Sequence, residues 1–114
     1  PTAARCYALG EAIRGAVASW PEQLRVGIVA SGGLSHFVVD EELDRAVLDA
    51  IQRKDGVALG TIPEAKLQSG SSEIKNWIVA AGALRDLAFS VIDYVPGYRS
   101  AAGTGCGMAF GRWT

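Results

Sequence analysis

Cys6, Leu9, Ile13, Ala16, Val17 and Trp20 recur every three or four residues, which predicts a one-faced helix from about Ala3 to Trp20. Pro21 closes it, because proline lacks the N–H a helix needs. Arg25 to Ala30 is a short β-branched run ending in Ser31-Gly32-Gly33, the pattern of a buried strand with a tight exit. Asp40 offers an N-cap oxygen to a second helix, whose stripe is Leu43, Ala46, Val47, Ala50 and Ile51 and whose expected stop is Asp55-Gly56. From Val57 to Gly70 the periodicity lapses, predicting a connector with a turn of helix after Pro63. Ser71 and Ser72 are alternative caps for a third helix, with Ile74, Trp77, Ile78, Ala81 and Leu84 on its buried side and its end near Arg85-Asp86. Leu87 to Val95 predicts a strand before a turn at Pro96-Gly97, and Cys106 to Trp113 a final short strand. These elements make an α/β chain with no internal repeat or low-complexity tail.

Composition narrows what such a chain does. At 114 residues it holds one core, and its 49% apolar and 20% charged residues are those of a globular protein. A net charge of −1 with no basic run disfavours nucleic acid as a partner. The apolar runs are too short to span a bilayer, and with no signal peptide visible the expected compartment is the cytoplasm. Cys6 and Cys106, a hundred positions apart, read as buried thiols rather than a metal pair. The opening Pro1-Thr2-Ala3-Ala4-Arg5 has no initiator Met, as expected of a piece of something longer.

Three tempting motifs fail. Gly33-Leu34-Ser35-His36-Phe37 lacks the last glycine of a nucleophile elbow, and adjacent residues such as Ser35 and His36 rarely converge on one reacting atom. Gly103-Thr104-Gly105-Cys106-Gly107 has the glycines of a phosphate loop but no following Lys-Ser or Lys-Thr, so a tight sheet connection explains it better. The acids between Asp40 and Asp44 read as a solvated, charged first helical turn.

Two residues stand out. His36 is the lone histidine and follows a glycine turn at the end of the predicted first strand, where α/β proteins place ligands. It is either held by a loop hydrogen bond or poised as a general acid and base, for which an ordinary imidazole is well matched. Glu73 begins the third helix one turn before Trp77. It either complements the helix dipole or presents a fixed anionic oxygen to a cation beside a large apolar body.

Ser31-Gly32-Gly33-Leu34-Ser35-His36, then Gly70-Ser71-Ser72-Glu73-Ile74 with Trp77, then the Gly-rich close from Gly103 to Phe110, together resemble the C-terminal part of a class III extradiol ring-cleaving dioxygenase. The resemblance is to the catalytic subunit family of protocatechuate 4,5-dioxygenase and covers nearly all of the chain from Arg25 onward. It implies a three-layer αβα sandwich with a mixed sheet, of which residues 1–114 are a single partial domain. It also implies an Fe(II) site of the 2-His-1-carboxylate type, with Glu73 as the carboxylate, His36 as the acid-base group and Thr104 in contact with substrate. Both iron-ligand histidines lie upstream in that family, so the 114 residues alone are expected to hold no tight iron and to turn nothing over. The implied partners are a catechol-type aromatic substrate, protocatechuate or gallate-like, and O2, in a homo-oligomer or a complex with a small helical subunit. The competing expectation is a non-catalytic relative or binding module, in which His36 and Glu73 serve only packing and capping.

Overall fold

The apolar stripes and β-branched runs resolve, in a computed structural model describing all residues from Pro1 to Thr114, into four helices and one small sheet. In chain order these are α1 (Ala3–Ala18), β1 (His36–Val38), α2 (Glu41–Gln52), α3 (Gly56–Gly60), α4 (Ile74–Ala83), β2 (Phe89–Tyr98) and β3 (Thr104–Trp113). Two 3-10 turns, Glu64–Lys66 and Ser69–Glu73, join α3 to α4. The first of these is the expected turn after Pro63.

The helices begin where capping chemistry allows. Thr2 accepts from the Arg5 N–H at 3.2 Å to start α1, and Asp40 accepts from the Leu43 N–H at 3.0 Å to start α2. That cap holds the Asp40 carboxyl below its usual range, assisted by the Lys66 ammonium at 3.0 Å and opposed by partial burial.

Residues from all four helices and from the sheet meet in one core. Leu34, Val47, Ile51, Leu59, Leu67, Ile74 and Ile78 are buried in a cluster closed by Trp77 and Phe89. Each such aliphatic side chain contributes roughly 1.5–3 kcal/mol. Phe89 packs on Trp113 at a ring-centroid distance of 4.5 Å, and both lie 6.4 Å from Trp77, so the sheet is locked to α4 by aromatic contacts. Leu34 is fully buried only two residues before His36, which ties the loop to the core.

The sheet is antiparallel throughout, in the order β1-β3-β2. Its central strand is β3, with His36 directly opposite Cys106 on one side and Phe89 opposite Trp113 on the other.

Five expectations are corrected by this architecture. Arg25 to Ala30 is not a strand: none of its backbone N–H or C=O groups meets another backbone group, and a ladder needs a neighbour. The segment instead flanks an apolar trough of about 380 Å³ walled by Trp77, Leu84, Leu87 and Trp113, with Val29 85% exposed. Asp55-Gly56 does not stop the second helix. Arg53 caps it, Lys54 turns left-handed at φ 58°, and Asp55 caps α3 through the Ala58 N–H, within the stretch read as a connector. Neither Ser71 nor Ser72 caps α4, because both lie within the preceding 3-10 turn and Ser71 is turned toward His36. Pro96 and Gly97 lie inside β2, where an edge strand tolerates a missing N–H, and the chain reverses after Arg99. Cys6 is buried as expected, but Cys106 is only partly so, and both thiols are free.

Candidate functional site

His36 and Glu73 meet. His36 begins β1, Glu73 sits at the junction of a 3-10 turn with α4, and His36 Nε2 lies 3.5 Å from Glu73 Oε2. The loop between Ala30 and His36 makes this possible. Gly32 has φ 125°, a conformation that side chains rarely adopt, and a Cβ there would strike the Glu73 carboxylate. A Cβ on Gly33 would meet both Cys106 Sγ and the His36 ring. Without side chains, the two glycines let the backbone lie against the site, and the Gly33 N–H donates to Glu73 Oε2 at 3.0 Å. Trp77 Nε1 donates to Gly32 O at 3.2 Å, fixing the same loop from α4.

His36 is held at backbone and ring. Its N–H donates to Ser71 Oγ at 3.0 Å, and Nδ1 lies 2.8 Å from Leu34 O. A carbonyl only accepts, so Nδ1 carries the proton and Nε2 is the basic nitrogen of the neutral ring. Nε2 faces Glu73 and, at 3.2 Å, the Cys106 sulfur. Burial pushes the Cys106 thiol up, reinforced by the Glu73 and Asp44 charges, which favours the protonated thiol. Phe37, next in sequence, is left-handed at φ 56° and exposed, a conformation costing roughly 1–2 kcal/mol.

Behind His36 stands a group the sequence reading missed. Asp44, assigned there to a solvated helix face, is fully buried. Its carboxylate accepts from the Ser35 N–H at 2.8 Å, the Ser35 hydroxyl at 2.8 Å and the Tyr94 hydroxyl at 2.7 Å. Three donors make a buried carboxylate tolerable. Burial first, then the hydrogen bond and charge of Asp44, drive the Tyr94 phenol far above its usual value. Ser35 Oγ also accepts from the Asp40 N–H at 2.9 Å, and Leu34 and Ser35 exchange backbone bonds with Gly107 at 2.7 and 2.9 Å. The segment carrying His36 is therefore pinned to α2, β2 and β3 together. Ser35 itself faces Asp44, as a loop anchor rather than a nucleophile.

The signal for Asp44 was present. It falls on the stripe of Val47, Leu48 and Ile51 at spacings of three, four and seven, so helical geometry alone puts it inside. Thr104 does not join the cluster. It opens β3 opposite Val38, and its hydroxyl is 2.6 Å from that of Ser100.

As a metal donor set the chain is partial. Glu73 fits a carboxylate ligand, since Gly33 anchors Oε2 while Oε1 takes no hydrogen bond from the chain, and the side chain is 43% exposed. No three His, Cys, Asp or Glu residues gather to hold an ion. No helix is long and apolar enough to cross a membrane.

Residues 1–105 match the family described as the catalytic LigB subunit of aromatic ring-opening dioxygenase. The chain belongs to this LigB family of extradiol dioxygenases. It is also 39% identical over 95 residues to a gallate dioxygenase of Pseudomonas putida strain KT2440, across 74% of this chain and 28% of that protein. The chain thus spans under a third of the length of that relative. No solved structure matches it.

Proposed function

We propose that this chain is the C-terminal part of a catalytic domain that opens a catechol-type aromatic ring with O2 and an Fe(II) cofactor, with His36 as acid-base group and Glu73 as iron ligand. The observation that carries the reading is the 3.5 Å approach of His36 Nε2 to Glu73 Oε2, in a chain of a ring-opening dioxygenase family. When bound, the ferrous ion supplies open coordination positions at which an aromatic diol and dioxygen are brought together. Glu73 would hold it through the oxygen that Gly33 leaves free, and two histidines from the rest of the protein would complete the set.

His36 acts beside that ion rather than on it. With Nδ1 committed to Leu34 O, only Nε2 can take a proton from a substrate hydroxyl, and the same atom returns it as the ring opens. The substrate class is a protocatechuate or gallate-like diol, in keeping with the gallate dioxygenase relative. Arg25 to Ala30, with its unclaimed backbone groups, becomes a strand of a three-layer αβα domain once the remaining polypeptide lies beside it. The complete protein works as a homo-oligomer or with a small helical subunit, and the 114 residues alone hold no stoichiometric Fe(II).

In the complete protein, His36→Ala should abolish ring opening, read as substrate-dependent O2 uptake, while leaving iron content near wild type. Glu73→Ala should lower iron occupancy itself. Wild-type turnover in His36→Ala would refute the acid-base assignment and return the residue to the packing role it has in a non-catalytic relative.

A further inference from the structure

The basic nitrogen of His36 has a neighbour that the proposed reaction does not use. Cys106 is the Cα partner of His36 across the β1–β3 ladder, so the two side chains leave the sheet on the same face. Its sulfur lies 3.2 Å from His36 Nε2, against 3.5 Å from Met108 Sδ and 3.6 Å from Gly107 O. A thiol has one proton to give, and of these three acceptors the imidazole nitrogen is both the nearest and the most basic. Leu34 O already takes the Nδ1 proton. The ring is thus held at both nitrogens, as donor to the loop behind and as acceptor from the strand beside it.

We propose that Cys106 is a positioning residue for His36, its thiol donating to Nε2 so that the neutral ring is kept in the Nδ1–H form with the reacting nitrogen aimed at the Glu73 side of the loop. This rests on the reading of His36 as the acid-base group. Cys106 makes no bond to substrate. It yields Nε2 when a substrate hydroxyl arrives and takes it back when product leaves, so that the imidazole does not rotate away between turnovers. The β1–β3 register sets the geometry, because a shift of one residue would carry the thiol to the opposite face of the sheet.

The lone histidine makes the test unambiguous, since a long-range ¹H–¹⁵N spectrum of the 114-residue chain contains one pair of ring nitrogens. Recorded on the neutral ring, it should show a protonated Nδ1 and an unprotonated Nε2. Cys106→Ala and Cys106→Val should move the Nε2 resonance and raise the share of the other tautomer, whereas Cys106→Ser, which keeps a donor, should stay near wild type. Valine serves as the second variant because it fills the volume without a donor. In the complete enzyme, Cys106→Ala should lower kcat about two- to tenfold at unchanged KM, the worth of one modest hydrogen bond, with recovery in Cys106→Ser. Ring nitrogens indifferent to Cys106→Ala and Cys106→Val, or an unchanged kcat in Cys106→Ala where His36→Ala abolishes turnover, would overturn the proposal. Responsive nitrogens combined with full turnover in His36→Ala would sink the acid-base reading instead and leave the Cys106–His36 pair standing.

Discussion

Replacing Asp44 by alanine removes the acceptor of three hydrogen bonds at a position with no access to water. The three donors do not suffer equally. The Ser35 hydroxyl keeps the Asp40 N–H as a donor to it and can rotate, and Tyr94 is only partly buried. The Ser35 N–H has no substitute. An orphaned buried donor costs about 1–3 kcal/mol, and the loss of charge-assisted bonds raises the total to about 3–4 kcal/mol. At roughly 2.1 cal/mol/K of unfolding entropy per residue, that corresponds to a fall in Tm of about 12–17 °C. Asp44→Asn keeps an oxygen for Ser35 N, and its amide can donate to either hydroxyl, so about half the loss is expected. Thermal and urea unfolding of the three proteins would measure the series. An alanine variant within about 0.5 kcal/mol of wild type, the range of an ordinary surface substitution, would show that the three bonds do not hold the His36 loop.

Gly107 faces the same carboxylate, and a Cβ there would collide with Asp44 Oδ2, so Gly107→Ala should cost about 1–3 kcal/mol by urea unfolding; a neutral result would mean that β3 can shift at no cost. Tyr94 should not ionise where an ordinary phenol does, so Tyr94→Phe should leave the phenolate absorbance near the usual tyrosine pKa of about 10 unchanged; a drop by one tyrosine's share would contradict its coupling to Asp44. Because the folded pKa of Asp40 is depressed, its stabilisation is present above the unfolded carboxylate value of about 3.9 and is lost as pH falls through the folded value. Asp40→Asn, which still caps, should therefore flatten the acid limb of a stability-against-pH curve, and an unchanged limb would refute the assignment.

Local rules carried the helices well. The Asp40 cap, the Pro21 stop and the stripe of α2 need only neighbours in sequence, and the structure places them accordingly. The strands were harder, because pairing depends on what lies alongside. Arg25–Ala30 has strand composition without a partner, while Pro96 looks like a breaker and is accommodated at an edge. His36 and Glu73 were legible as separate residues and as parts of a family pattern, and the structure adds that they touch. Asp44 was misread because its sequence neighbours are acids, although its helical phase is that of the core. Cys106 could not be placed beside His36 from spacing alone, since the β1–β3 register spans seventy residues.

That span bears on how the site comes into being. The residues that converge there, His36, Glu73 and Cys106, belong to three distant stretches of chain, and the strand bringing the last of them is β3, which also seats Asp44 against Gly107. Loop closures of this size are slow compared with forming a helix, so α1, α2 and α4 can be in place while His36 still has neither its sulfur neighbour nor its ladder. The imidazole environment would then be among the last features to mature during folding. A ribosome-bound chain lacking β3 would be helical and would not yet have brought Cys106 to His36 and Glu73.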